Sequence, residues 1–304
     1  MTAATRSAIP FGAMLTLGIL WLVWGTSWPA MRIVFLEIPV WQFRTVTCGV
    51  AGVILLAMGI AQDRRHWHPA RTTWPRLVAA AFFNMTCWHI LVGFGLQIVG
   101  AGHAAIVCYT LPIWTALLAS VFLKERLSPR ILVALVLGVA GVSVLLSVNM
   151  SLLENAPLGF IFLLTAAITW AAGTLIVKHY DWGIGMFALA GWQLLIGLVP
   201  IAIIATMSEP FMLHRVSTEA AVAGLYVLFV GMVVGYALWF GIVNVMSATV
   251  ASIGSLMIPV IGVVSSAVLL DEPIGWRELV ALVLVLSAIT LVLFFRPKHQ
   301  GNSW

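Results

Sequence analysis

Charged residues are scarce in this sequence, and their scarcity limits the kind of protein it can encode. Only 8% of the 304 residues are charged and 62% are hydrophobic, whereas a soluble domain carries about 25% charged residues. A soluble fold of this composition could not cover its surface with polar groups, so the surface is expected to face lipid. The chain is therefore expected to be an integral membrane protein, with little length left for a soluble domain.

Acidic side chains are missing from the middle of every long apolar run. All ten lie at expected loops or span ends: Glu37, Asp63, Glu125, Glu154, Asp181, Glu209, Glu219, Asp271, Glu272 and Glu278. A carboxylate in mid-membrane is a common proton relay or cation site. Its absence argues against carboxylate-coupled proton antiport and against tight binding of purely cationic compounds. A zwitterionic or neutral amphipathic solute fits better.

Motifs for nucleotide binding and hydrolysis are also missing. The sequence has no P-loop, no Gly-x-Ser-x-Gly and no His-Glu-x-x-His. The loop pair His66 and His68 has no further ligand nearby, and the three cysteines stand inside apolar runs, which is typical of packing residues. We expect no enzyme, no metal and no cofactor. Without a Lys/Arg-rich tail, no nucleic-acid partner is expected either.

Ten apolar stretches, each close to the roughly 20 residues that a spanning helix needs, divide the chain. Approximately, they cover 11–31, 39–61, 75–97, 103–123, 130–149, 156–177, 184–206, 219–240, 248–270 and 278–296. A cytoplasmic N-terminus puts eleven of the fifteen basic residues on the cytoplasmic side, and the opposite orientation puts four there. The positive-inside rule therefore predicts cytoplasmic N- and C-termini in the inner (plasma) membrane.

An internal match indicates that the sequence is a duplication. The octet that starts at Arg130 and the octet that starts at Arg277 are identical at seven of eight positions, at an offset of 147. The same offset places Pro112 on Pro259 and His89 on Tyr236. We therefore predict two five-helix repeats, at 11–149 and 156–296.

The number of spans in each repeat predicts how the halves are related. Five is odd, so the second repeat enters the membrane from the opposite side and the halves are inverted. Inverted repeats are common in secondary transporters, because a site between them can be exposed to either side by rocking one half against the other. Paired helix interruptions mark moving parts of such proteins, so Pro112 and Pro259 are predicted to kink their spans and to act in gating.

Several short motifs, in this order and spacing, resemble the EamA-type families of the drug/metabolite transporter superfamily. They are Trp24-Gly25-Thr26, Arg44, Lys124-Glu125-Arg126-Leu127-Ser128, Trp170-Ala171-Ala172-Gly173-Thr174, Gly191-Trp192-Gln193-Leu194 and Asp271-Glu272-Pro273. The resemblance covers about residues 12–296 and is greatest to the YddG-type exporters of aromatic amino acids. It implies ten helices, export of amino acids, related metabolites or drugs, and a central cavity lined by helices 1, 3, 4, 6, 8 and 9.

Polar side chains within the apolar runs are candidates for the binding site. His89 and its repeat equivalent Tyr236 lie in mid-span, and Gln97 is equivalent to Asn244. A polar group facing lipid would cost a few kcal/mol, so each is expected to face a cavity or another helix. Hydrogen bonding between helices is the structural alternative for all four residues.

Aromatic residues and one arginine complete the candidate site. Trp24, Trp28, Tyr109 and Trp170 could bind an aromatic side chain or an ammonium group, and the alternative for each is packing or contact with lipid. Arg44 is the one basic residue that enters a span. Either it contacts a substrate carboxylate, or its guanidinium snorkels to the membrane interface.

Together these features predict an all-α polytopic membrane protein with ten transmembrane helices in two inverted repeats. We expect a secondary transporter, a monomer in the lipid bilayer, that exports aromatic or hydrophobic amino acids and similar amphipathic metabolites by alternating access. A broad-specificity drug or metabolite effluxer is the first alternative. A membrane-embedded enzyme is the second, and it would have to depend on His89.

Overall fold

The computed structural model describes residues 11–99, 104, 107–146, 157–208, 216–270 and 275–293, and the regular structure in these ranges is helical, without strands. Six continuous helices are α1 (Phe11–Phe35), α2 (Val40–Gln62), α5 (Pro129–Leu146), α6 (Pro157–His179), α7 (Met186–Ser208) and α10 (Trp276–Leu293). The segment α4 covers Leu111–Phe122. The turn Asp271-Glu272-Pro273 lies outside the described residues.

Three segments combine shorter helical pieces. A π-helical stretch, Phe82–Cys87, joins the two parts of α3, Trp74–Ala81 and Trp88–Val99. Another, Val227–Val234, joins the two parts of α8, Thr218–Tyr226 and Gly235–Val245. A turn at 255–256 separates the parts of α9, Ala248–Gly254 and Met257–Leu270.

Helix length and hydropathy confirm an integral membrane protein. Seven of the described helices are long and apolar enough to cross a bilayer, namely α1, α2, α3, α6, α7, α8 and α9. Three shorter apolar helices lie within α4, α5 and α10. Hydrophobic residues such as Val136, Val199 and Met207 are exposed on the outside of the bundle, as expected of a surface that contacts lipid.

The packing of the segments repeats itself. α1 packs on α8 and α9, and α6 packs in the same way on α3 and α4. α2 packs on α7, and α5 packs on α10. Exchanging each segment of the first half for its equivalent in the second half (α1 for α6, α2 for α7 and so on) therefore leaves the set of packing pairs unchanged.

Glycines let α2 and α7 approach each other closely. A Cβ atom added to Gly191 would lie 2.6 Å from the backbone nitrogen of Leu56 and 2.9 Å from the carbonyl oxygen of Gly52. A Cβ on Gly59 would lie 2.6 Å from the backbone nitrogen of Ala188. Small residues at such crossings are a common way for membrane helices to pack, since lipid offers no hydrophobic drive between them.

The helix irregularities occur at equivalent places in the two halves. At the offset of 147, the π stretch in α3 falls within that of α8, and the turn at 109–110 before α4 overlaps the turn at 255–256 by one residue. The sequence analysis expected Pro112 and Pro259 to kink continuous helices, and this expectation is wrong. Each stands at the beginning of the segment that follows a turn, where its missing N–H costs least.

Two carboxylates connect the first half of the chain to N-terminal ends of helices in the second half. Glu37, after α1, accepts hydrogen bonds from the Ser217 hydroxyl (2.6 Å) and backbone N–H (2.7 Å) at the N-cap of α8. These bonds hold the pKa of the Glu37 carboxyl below its usual value. Glu125, after α4, accepts bonds from the Thr249 hydroxyl (2.7 Å) and the Ala248 N–H (3.2 Å) in the first turn of α9. We call these contacts the Glu37 latch and the Glu125 latch.

The close crossing of α2 and α7 predicts opposite effects for one substitution at two glycines. Gly191→Ala should destabilise the protein by about 1–3 kcal/mol, because the new methyl group meets backbone atoms that cannot move aside. Gly18→Ala is the matched control: no atom lies within 4 Å of a Cβ built there, and alanine is the better helix former by roughly 1 kcal/mol. The thermal midpoint in detergent checks both variants. Equal midpoints would show that the α2–α7 crossing is not tight.

Candidate functional site

A cavity of about 100 Å³ lies between the two halves, where α1, α2, α3, α6, α8 and the turns before α4 and within α9 converge. Its lining combines aromatic rings with a few polar side chains: Trp24, Ser27, Trp28, Arg44, Thr47, Trp88, His89, Tyr109, Trp170, Tyr236, Trp239 and Ser255. The lining includes residues of the six segments expected to form it, namely α1, α3, α4, α6, α8 and α9. It also includes residues of α2, which was not expected.

A buried hydrogen-bonded row crosses one wall of the cavity. Arg44 Nη1 lies 2.9 Å from His89 Nδ1, and Tyr236 Oη lies 3.1 Å from His89 Nε2. Arginine can only donate, so Nδ1 must accept and carries no proton. The proton of the neutral imidazole is therefore on Nε2, which donates to the Tyr236 oxygen. The Tyr236 O–H remains available to donate to another group.

His89 and Tyr236 are equivalent residues of the two halves and are in direct contact. They stand 147 positions apart, which is the offset of the internal match. Their side chains are 1% and 3% exposed. Both ring nitrogens of His89 are engaged, so the imidazole offers no free lone pair to a reacting group. This geometry does not suit a general base, which the alternative of a membrane-embedded enzyme would need.

Arg44 is buried in the bundle and does not snorkel. Its side chain is 6% exposed and belongs to the second turn of α2. The guanidinium carbon lies 5.9 Å from the centre of the Phe35 ring. Its Nε–H has no hydrogen-bond partner within the described part of the chain. Asp63 pairs with His66 in the loop after α2, far from this site. Arg44 is therefore a cation with no counter-ion among the residues that the structure describes.

Aromatic rings from four helices pack against one another around the cavity. Trp24 lies 6.2 Å from Trp170, 5.9 Å from Tyr236 and 5.7 Å from Trp239, measured between ring centroids. Trp88 lies 4.7 Å from Trp170. Most of these pairs are edge-on or tilted, the arrangements that aromatic rings prefer.

The π stretch of α8 and its glycines position Trp24. The Trp24 indole donates a 3.0 Å hydrogen bond to the carbonyl of Gly231, inside the π stretch. A side chain at Gly235 would collide with the same indole. A π stretch widens the helix turn and is frequent at functional sites. Here the π stretch contains the Gly231 carbonyl, which accepts the hydrogen bond from Trp24.

Trp28 and Tyr109 lie together at another side of the cavity. Both side chains line the cavity. Tyr109 is part of the turn before α4 and also lines a smaller cavity next to Pro112. The structure thus brings seven of the expected binding residues to one cavity: Trp24, Trp28, Arg44, His89, Tyr109, Trp170 and Tyr236.

Gln97 and Asn244 are not brought to the cavity. Both are exposed, and the Gln97 amide bonds only to the carbonyl of Gly93, one turn earlier in its own helix. Asn244 lies at the end of α8, and its backbone carbonyl accepts a hydrogen bond from the ammonium group of Lys178. Pro112 and Pro259 also lie outside the cavity lining. Equivalence in a repeat predicts these residues as pairs, but it does not determine which way a side chain points.

Two tryptophans of the site were missed in the sequence analysis. Trp239 lies one helical turn after Tyr236, and Trp88 is adjacent to His89. The spacing of Trp239 could have identified it, since residues three apart share a helix face. Trp88 offers no such signal. It points to the cavity because the π stretch ends immediately before it.

Comparisons with known proteins agree with this architecture. The model of the EamA-like transporter family matches the chain twice, over residues 11–147 and 157–294. The transporter YvbV of Bacillus subtilis (strain 168), which is named as uncharacterized, is 25% identical over 278 residues, covering 91% of this chain and 90% of the relative. A probable amino-acid metabolite efflux pump of Escherichia coli (strain K12) is 28% identical over 211 residues, covering 67% of this chain and 70% of the relative.

A solved crystal structure has the same fold. It superposes with a TM-score of 0.79 at 18% sequence identity, over 92% of this chain and 96% of the other. The two family matches together cover nearly the whole of the helical bundle described above. This chain therefore belongs to the EamA-like transporter family.

Proposed function

We propose that the protein is a secondary transporter that exports aromatic and hydrophobic amino acids by alternating access, as the YddG-type exporters do. In this proposal all ten segments cross the membrane, both termini are cytoplasmic and the protein lies in the inner membrane. The observation that carries the proposal is the aromatic cavity at the contact between the equivalent residues His89 and Tyr236.

The symmetry of the packing supports two inverted repeats, at 11–149 and 156–296. Two equivalent residues can touch only near the axis that relates the halves, so the His89–Tyr236 contact supports a cavity on that axis. A site on the axis of an inverted repeat is reached from either side by equivalent movements. The packing pairs of the segments stay the same when the two halves are exchanged, which fits this arrangement.

The chemistry of the lining supports an amphipathic solute with an aromatic or large apolar side chain. Trp24, Trp170 and Trp239 offer ring faces and edges, and Arg44, Tyr236 and Ser255 offer polar contacts. The cavity of about 100 Å³ is somewhat smaller than the roughly 150 Å³ apolar cavity that binds benzene in another protein. A complete aromatic amino acid needs more room, so binding requires the halves to separate slightly. Relatives named amino-acid metabolite efflux pumps agree with this solute class.

The two latches support alternating access because they close opposite ends of the bundle. Glu37 precedes α2, and Glu125 follows α4, so three membrane crossings separate them. Each latch joins the first half to the second, and opening one end requires the latch at that end to break. With both latches formed, the structure corresponds to a closed state.

Removing one ring of the aromatic lining should impair transport. In proteoliposomes loaded with labelled phenylalanine, Trp239→Ala should reduce efflux by about tenfold, as expected from the loss of one or two aromatic contacts. Trp276→Ala is the control, since that tryptophan is 67% exposed at the start of α10. The proposal fails if a panel of aromatic, aliphatic and polar amino acids shows no protein-dependent movement in the wild type.

Each latch should control access from its own end. Cys108 lines the cavity and is 1% exposed, so it can report access in a variant that lacks Cys48 and Cys87. Glu37→Ala should increase labelling of Cys108 by a membrane-impermeant maleimide added at the α1–α2 end, and Glu125→Ala should increase labelling from the other end. Added phenylalanine should slow both reactions.

Glu219→Ala is the matched control for the Glu37 latch. Glu219 is an exposed acid in the first turn of α8, next to the latch. If Glu219→Ala raises labelling as much as Glu37→Ala, the effect is due to lost charge and not to a broken latch. If both latch variants raise labelling from one and the same side, the two contacts do not close opposite ends.

A further inference from the structure

We propose that the cavity selects its solute by the carboxylate and does not require the amino group, so that aromatic 2-hydroxy and 2-oxo acids are transported as well as aromatic amino acids. This inference rests on the proposed function and specifies the solute class of the same site. Arg44 is the carboxylate-binding residue, and His89 is the positioning residue that orients it.

The first argument is the unbalanced charge of Arg44. The guanidinium is 6% exposed and lines the cavity. No acidic residue among those that the structure describes contributes to the cavity lining. Glu37 and Glu125 are engaged in the two latches, and Asp63 pairs with His66. A buried charge is costly unless it is paired, so an anionic group is the ligand that Arg44 lacks.

The second argument is the number of donors that Arg44 has left. Its recorded side-chain hydrogen bond is the one from Nη1 to His89 Nδ1. Nε is buried without a partner in the described residues. A carboxylate that approaches from the cavity can therefore accept from the guanidinium while Nη1 stays on His89. Planar, charge-assisted contacts of this kind are the strongest hydrogen bonds that proteins make.

The neighbouring tyrosine extends the same anion site. Since His89 Nε2 donates to the Tyr236 oxygen, the Tyr236 hydroxyl is left as a donor on the cavity side. Arginine and tyrosine then present donors along one row, with His89 fixing both through its two nitrogens. The row offers hydrogen atoms to an anion.

The cavity has a much weaker match for an ammonium group. Without a carboxylate in the described lining, the groups left to accept from an ammonium are aromatic faces and the neutral hydroxyl oxygens of Ser27, Thr47 and Ser255. Cation–π contacts are weaker than a buried guanidinium–carboxylate pair. The solute's carboxylate should therefore contribute more to recognition than its amino group.

Three compounds that share one aromatic ring separate these contributions. L-Phenylalanine has both groups, L-phenyllactate replaces the amino group by a hydroxyl, and L-phenylalaninamide lacks the carboxylate. Proteoliposomes preloaded with unlabelled phenylalanine are given each labelled compound at pH 7.5, and protein-free liposomes correct for passive entry. We expect phenyllactate to exchange within about threefold of phenylalanine, and the amide at least about tenfold more slowly, the change that one charged hydrogen bond produces.

The outcomes distinguish this inference from the proposed function. If phenylalanine and its amide exchange equally fast, or if phenyllactate does not exchange while phenylalanine does, the carboxylate inference is wrong and the transporter proposal stands. If none of the compounds exchanges, nor any other amino acid, the proposed function itself is wrong.

Variants of Arg44 test the residue directly. Arg44→Gln should slow exchange of phenylalanine and phenyllactate by at least about tenfold but not that of the amide, so the preference for phenylalanine over the amide should fall toward one. This ratio does not depend on how much protein folds. Arg44→Lys should retain part of the preference, because it keeps the charge and loses the planar fork. The control is Arg64→Gln, the same change at an exposed loop position. An unchanged ratio in Arg44→Gln would overturn the assignment of Arg44.

Discussion

The hydrogen-bonded row from Arg44 through His89 to Tyr236 is the interaction on which the rest of the site depends. Arginine has no acceptor atoms, so it determines the tautomer of His89, and His89 in turn determines which way the Tyr236 hydroxyl is used. The row joins α2, α3 and α8, and so crosses from one half of the chain to the other. The Arg44 side chain thereby makes this wall of the cavity positive and rich in hydrogen-bond donors.

The surrounding helices are irregular where the row needs space. The π stretches end next to Trp88 and Gly235, and the residues that follow them, His89 and Tyr236, face each other. In lipid, backbone carbonyls released by such irregularities must find donors within the protein. Trp21 and Trp24 supply donors, to the carbonyls of Gly254 and Gly231. Trp24 therefore both lines the cavity and satisfies a backbone carbonyl.

Much of the fold followed from the sequence, because hydropathy and an internal match are properties that lipid imposes on the chain as a whole. The pairing of His89 with Tyr236 came from the offset alone. The sequence could not show that Arg44 turns inward, since snorkelling and burial start from the same position in a helix. It also could not show the π stretches, which shift the facing of every later residue by part of a turn. Gln97 and Asn244 were misjudged because equivalence in a repeat does not determine which way a side chain points.

In the proposed alternating access, the close crossing of α2 and α7 is the point about which the halves turn. Its backbones are in contact around Gly52 and Gly191, so the helices can rotate there more easily than they can slide. Val40, at the start of α2, is twelve residues from Gly52, which is about 18 Å of helix. A rotation of roughly 10° would displace that end by about 3 Å, which is more than a hydrogen bond tolerates. A small rotation at these two glycines thus becomes a displacement at the end of α2 that is large enough to break the contacts there.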